Sequence, residues 1–140
     1  MINVIIAAHG TLARDLLDAA QTIIGRIEGV HTISRLPHEG KADLMKKFQR
    51  KISQLDSPEG ILILIDAYGG SPFNISSYFL DRYNMRIVTG VNLPMILDLA
   101  TYREKLGLEK LAAKLARTGR RSVIVKQKSI VKTGLRGLLL

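Results

Sequence analysis

The 140-residue chain has no cysteine and no tryptophan. Without cysteine there are no disulfides, thiol nucleophiles or thiolate metal sites, and a reducing, cytoplasmic setting is the expectation. Aromatic residues make up only 5% of the sequence, which leaves few rings for stacking bases and speaks against nucleic acid as a partner. No apolar run approaches the roughly 18 residues that span a bilayer. The first residues lack a basic flank, so Ile2–Ala8 reads as a strand rather than a signal peptide. Neither a P-loop nor a Gly-x-Gly-x-x-Gly fingerprint is present, and no nucleotide cofactor is expected. Acidic residues are absent from 110–140, which holds nine Lys and Arg; residues 1–109 balance 12 basic against 12 acidic side chains. The net charge of +9 therefore belongs to the C-terminal stretch. Such a run either seeks an anionic partner or forms a solvated helix face and a loose tail, and the second is commoner.

The hydrophobic pattern alternates between two periods. Ile2–Ala8 is a continuous apolar run, as a strand buried on both faces requires. Thr11 to about Ile27 carries a helical stripe of Leu12, Leu16, Ala19, Ala20, Ile23, Ile24 and Ile27. Val30–Leu36 reads as a second strand, followed by the turn Pro37-His38-Glu39-Gly40. Lys41–Leu55 is an amphipathic helix with Leu44, Met45, Phe48, Ile52 and Leu55 inward, and Lys46, Lys47, Arg50 and Lys51 toward water. Ile61–Asp66 is the third strand. Ser71-Pro72 reads as an N-cap followed by proline at the first helical position, with a helix to about Tyr83. Met85–Val91 is the fourth strand. Helices follow from Asn92 to about Tyr102 and over Leu106–Thr118. Thr118-Gly119-Arg120-Arg121 sets apart a short alternating strand, Ser122–Lys126.

This order predicts one α/β domain over residues 1–126, followed by a basic tail, 127–140, expected to be poorly ordered. Right-handed crossovers favour a flavodoxin-like, doubly wound parallel sheet of order 2-1-3-4. His9 and Asp66 then end neighbouring strands and flank the switch point, about 5 Å apart at the backbone. A carboxylate that accepts a hydrogen bond from one ring N–H frees the other imidazole nitrogen and stabilises positive charge on the ring. No elbow serine is present, so the imidazole itself is the candidate nucleophile. Gly10, Thr11, Gly70 and Ser71 lie at two helix amino termini, which favour an anion. A phosphoryl group on His9 held by such groups needs neither metal nor nucleotide. His31, inside a strand, and His38, in a turn, read as structural, and no spacing supports a metal site.

Three blocks carry a resemblance. They are Ala8-His9-Gly10, the run from Asp66 through Ala67-Tyr68-Gly69-Gly70-Ser71-Pro72-Phe73 to Asn74, and the run from Gly90 through Val91-Asn92-Leu93-Pro94 to Met95. In this order and spacing they resemble the enzyme IIA component of the mannose-family phosphotransferase system, over roughly residues 2–126. The resemblance implies that His9 accepts a phosphoryl group on Nε2 from the histidine phosphocarrier HPr and passes it to a IIB domain. It implies that Asp66 orients the ring through the other nitrogen, and that Ser71 and nearby N–H groups cradle the phosphoryl group. It also implies a homodimer that exchanges a C-terminal antiparallel strand, matched here by Ser122–Lys126, and membrane contact only through IIC and IID components. Ala67-Tyr68 departs from the hydroxyl residue and tryptophan of mannose-type transporters, and the basic tail is foreign to the pattern. With no fused IIB segment before Leu140, a separate IIB partner is expected. The alternatives are a phosphorylation-state sensor of an incomplete system and the phosphoryl-donor subunit of a dihydroxyacetone kinase system. The extended Gly-Gly-Ser-Pro-Phe-Asn run favours the mannose type over the latter.

Overall fold

The computed structural model describes residues 1–129. Four parallel strands, β1 (Asn3–His9), β2 (Val30–Arg35), β3 (Ile61–Ile65) and β4 (Met85–Thr89), form one sheet of order β2-β1-β3-β4. Helix α1 (Leu12–Ile24) lies on one face with α4 (Leu93–Tyr102) and α5 (Leu108–Arg121). On the other face lie α2 (Lys41–Leu55) and α3 (Ser71–Ser77). The flavodoxin-like architecture and strand order are those expected from the alternating pattern.

Period-two geometry divides the core between the two faces. Val4, Ile6, Ala8, Leu62 and Leu64 pack under α1, α4 and α5. Ile5, Ala7, Ile61, Ile63 and Ile65 pack under α2 and α3. All five residues of β3 are buried, which is why this strand has no polar alternation.

Several boundaries differ from the sequence expectation. Helix α1 stops at Ile24 because Gly25, at φ +85°, returns its N–H to Gln21. Its apolar stripe is only partly used: Ala20 is buried, whereas Leu12, Ile23 and Ile24 are exposed. On α2, Lys47 is half-buried and donates to Glu39 at 2.5 Å and to the Ser34 carbonyl at 3.1 Å. Helix α3 ends at Ser77, six residues short of expectation. The Ser76 and Ser77 hydroxyls both bond to the Phe73 carbonyl, which competes with regular helical bonding, and the chain continues to Tyr83 through tight turns. Helix α5 begins later than expected and continues through Gly119, Arg120 and Arg121. Gly119 serves packing there, since a Cβ would come within 2.7 Å of Met95 Sδ. The segment 118–121 is thus helix, with no break before the arm. Residues 123–129 carry no regular element, and the antiparallel strand expected at Ser122–Lys126 is not formed within the single chain. Residues 130–140, most of the tail expected to fray, lie outside the described residues.

Arg103, just past α4, is buried at the amino ends of the strands, opposite His9. Its guanidinium donates to the carbonyls of Ile2 at 2.8 Å, of Gly29 at 2.7 Å and of Glu28. One side chain thereby ties β1 to the turn before β2. Gly29 has φ +65°, and a Cβ there would overlap the Arg103 guanidinium. Replacing Arg103 with methionine removes the donors to all three carbonyls, of which that of Gly29 keeps the Val4 N–H at 3.1 Å. A loss of about 3 kcal/mol is expected, read as a lower urea midpoint with an unchanged slope. The arrangement of His9 and Asp66 at the far end of the sheet is expected to be unaffected.

Candidate functional site

The register places the site. Ala7 pairs with Ile65, so His9 and Asp66 emerge together from the carboxyl ends of the two central strands, where open α/β sheets bind ligands. His9 shares strand parity with Ile5 and Ala7 and therefore faces the α3 side. Gly70 meets it there: a Cβ on Gly70 would lie 3.0 Å from His9 Cε1 and 3.6 Å from Nε2. Any larger residue at position 70 crowds the edge of the ring that bears Nε2.

The Asp66 carboxylate is fixed by three contacts. Oδ2 accepts the His9 backbone N–H at 3.0 Å and lies 2.8 Å from His9 Nδ1. Oδ1 accepts the Ala67 N–H at 2.9 Å. An ionised carboxylate only accepts, so in the neutral ring Nδ1 carries the proton and Nε2 keeps its lone pair. Burial pushes the Asp66 pKa up, but the His9 amide, the His9 ring and the Ala67 amide outweigh it and hold it below the ordinary carboxylate value. Exposure is divided to match: the His9 side chain is 53% accessible and that of Asp66 13%. The orienting group is sheltered and the candidate nucleophile faces solvent.

The four expected phosphoryl-binding residues are placed differently from one another. Gly10 supplies a left-handed turn at φ +59°, but its N–H is spent on the Arg35 carbonyl at 2.8 Å. Thr11 donates its hydroxyl to Asp15 at 2.9 Å. Gly70 lies against the ring. It is Gly70, not Ser71, that caps α3, and Ser71 and Pro72 occupy the first two helical positions. The Ser71 hydroxyl, read from sequence as an N-cap and as part of the phosphoryl cradle, makes no hydrogen bond among the described residues and stays available. Among the described residues no three His, Asp or Glu side chains converge on a metal position. No helix there is long and apolar enough to cross a membrane. His31 is half-buried in β2, and His38 is exposed in its turn.

Two supports escaped sequence reasoning although they stood inside the quoted blocks. Asn74 donates its side-chain N–H to the Gly69 carbonyl at 3.2 Å and its backbone N–H to the Gly70 carbonyl at 2.9 Å, pinning the turn against His9. An Asn four residues past a Gly-Gly turn was the available signal. Val91 donates its N–H to the Ile65 carbonyl at 3.0 Å, and Asn92 caps α4 by accepting from Met95 at 3.2 Å. The Gly90–Met95 block thus braces the strand end from which Asp66 leaves. Tyr68 packs on Phe73 with tilted rings, centroids 4.7 Å apart, and remains 80% exposed beside the site.

Residues 3–116 match the family model described as PTS system fructose IIA component. The chain is 34% identical over 134 residues to the mannose-specific EIIAB component of Escherichia coli K12, covering 94% of this chain and 42% of that protein. It thus spans less than half of that relative. It is 29% identical over 133 residues to the fructose-specific EIIA component of Bacillus subtilis 168, covering 94% and 91%. Among solved structures, the mannose/sorbose-specific IIA subunit from Enterococcus faecalis superposes with a TM-score of 0.85 at 25% identity, covering 94% of this chain and 98% of that one.

Proposed function

The chain belongs to the mannose-type enzyme IIA family of the sugar phosphotransferase system, and on that premise we propose that it is a cytoplasmic phosphocarrier that takes a phosphoryl group from phospho-HPr on His9 Nε2 and passes it to a IIB domain. One observation carries this reading: Asp66 occupies Nδ1 and leaves Nε2 free, exposed and edged by a glycine. The Nε2 lone pair forms the new N–P bond as the donor's P–N bond breaks, and the donor keeps that electron pair. Positive charge grows on the imidazole as the bond forms, and the Asp66 carboxylate stabilises it through Nδ1–H. Transfer to IIB runs the same displacement in the other direction. The site supplies position and charge stabilisation, which is most of what phosphoryl transfer asks of a protein. Gly70 gives the phosphoryl group room, and the free Ser71 hydroxyl is a donor for its oxygens. Gly10 shapes the turn, and Thr11 opens α1 beside it. Residues 1–126 form the carrier domain in this reading, and 127–140 its basic appendage.

The test is incubation with phosphoenolpyruvate, enzyme I and HPr, then mapping of the modified residue by mass spectrometry under non-acidic conditions. One acid-labile phosphate on His9 supports the reading. No incorporation into folded protein with active HPr overturns it.

The reading includes a homodimer with exchanged C-terminal strands. The outer edge of β4 is unpaired among the described residues. A groove of about 530 Å³ runs beside it, lined by Ile87, Thr89, Ala112, Ala116 and Val123. Val123, Ile124 and Val125 project into solvent, each at least 80% exposed, and such a segment hides its apolar residues by adding to a sheet edge. Val123 and Val125 share one strand face. Sedimentation is expected to give a dimer for the parent chain and a monomer for Val123→Asp/Val125→Asp. A monomeric parent removes the exchange.

A further inference from the structure

The second sheet edge has a different character. Outside β2, between the first turn of α1 and the length of α2, lies an open cavity of about 450 Å³. Arg14 of α1 and Lys47, Arg50 and Lys51 of α2 stand around it, with Thr32 and Ser34 of β2 at its floor. No carboxylate lines it. Lys47 is committed to Glu39 and the Ser34 carbonyl. Arg14, Arg50 and Lys51 have no ion pair and no side-chain hydrogen bond among the described residues. Three cations from two helices thus converge on one concavity without a counter-ion. The charge of Lys51 reaches the strand beneath, where His31 is held below its ordinary pKa by burial first and then by Lys51 and Arg103.

We propose that this cavity binds a small phosphomonoester with a polyol body. A phosphate dianion relieves the mutual repulsion of the three cations and offers several acceptor oxygens to their donors. The Thr32 and Ser34 hydroxyls and the unpaired outer edge of β2 suit a hydroxylated body, and the volume is that of a small-molecule site. No aromatic ring lines the cavity, so a nucleobase finds no stacking partner. The chain's own C-terminal stretch has the wrong sign to fill it, since residues 110–140 are without a single acidic side chain. Thr11 reaches its rim but His9 is not among the lining residues, so the cavity adjoins the phosphoryl-carrying site without containing its nucleophile.

The experiment is an amide-resolved NMR titration of the full chain with glucose 6-phosphate, inorganic phosphate and glucose, run in parallel. Glucose 6-phosphate is expected to shift the amides of Thr32, Ser34 and Lys51 saturably, phosphate to shift them more weakly, and glucose not at all. Arg50→Gln/Lys51→Gln is expected to weaken glucose 6-phosphate binding about tenfold or more through loss of charge-assisted bonds. Lys110→Gln/Arg117→Gln, the same charge change on α5, is expected to leave it unaltered. The proposal is overturned if those amides do not respond saturably, or if both double variants weaken binding equally. Phosphate binding as tightly as the ester overturns the polyol part. If Arg50→Gln/Lys51→Gln slows transfer from phospho-HPr and no phosphoester binds, the basic wall serves a protein partner and the proposal fails. Phosphate incorporation at His9 is assayed separately, so failure here leaves the carrier reading standing.

Discussion

Replacing His9 with alanine is expected to abolish phosphoryl acceptance from phospho-HPr while leaving the fold unchanged. No other nitrogen nucleophile takes its place. The chain has three histidines; His31 lies within β2, where burial and nearby cations disfavour the charged ring, and His38 sits in a turn with no carboxylate bonded to its ring among the described residues. Structural loss is small because the His9 side chain packs little and is mostly solvated. Asp66 retains the His9 and Ala67 backbone donors after the change. The cost to stability is therefore about one hydrogen bond at a solvent-facing site, on the order of 1 kcal/mol or less. Intact-mass measurement at neutral pH gives the incorporated phosphate, and thermal denaturation gives the fold. Phosphate still entering His9→Ala overturns the nucleophile assignment, whereas His31→Ala and His38→Ala are expected to accept it normally.

The parts of this architecture legible in the sequence are those that depend on period and punctuation. Five consecutive apolar residues at Ile61–Ile65 announce a strand covered on both faces, and Ile2–Ala8 does the same. Once two such runs are neighbours, His9 and Asp66 come to the same end of the sheet, and the His9 and Ala67 amides that hold the Asp66 carboxylate complete the 2.8 Å contact. What stayed hidden depends on side-chain competition and tertiary packing. Ser71 looks like a cap by residue type, but Gly69 at φ +83° turns the chain one residue earlier and Gly70 takes that place. Gly119 looks like a helix stop, yet its missing Cβ lets α5 close on Met95. Arg103 looks like a surface cation until the carbonyls of Ile2, Glu28 and Gly29, 74 to 101 residues away in sequence, surround it. The basic cavity beside β2 was equally invisible, because Arg14 and Lys51 come together only when α1 and α2 cross the same edge strand.

Replacing Asp66 with alanine is expected to slow phosphoryl transfer about a hundredfold without abolishing it, the scale of losing one preorganised electrostatic contact. The nucleophile survives, but the ring loses its orientation, its tautomer and the charge that balances the developing imidazolium. Asparagine separates these contributions. Both Asp66 oxygens accept backbone N–H groups, from His9 on one side and Ala67 on the other, so an amide placed either way turns its NH₂ toward one of those donors. An NH₂ facing Nδ1 also donates to the ring and moves the imidazole proton to Nε2, blocking the nucleophile. Asp66→Asn is therefore expected to transfer no faster than Asp66→Ala despite its closer shape. Transfer by the asparagine variant at the parent rate excludes charge and tautomer from the mechanism. Stability gives an independent reading through pH. The folded-state pKa of Asp66 lies below its ordinary value, so its contribution to stability is fully present above the unfolded carboxylate pKa, about 4. That contribution is lost as pH falls through the depressed folded value. The parent chain is expected to be more stable than Asp66→Ala at neutral pH, with the difference closing only in that acid range. A difference that closes between pH 5 and 7 would mean that something other than the Asp66 carboxylate holds the ring.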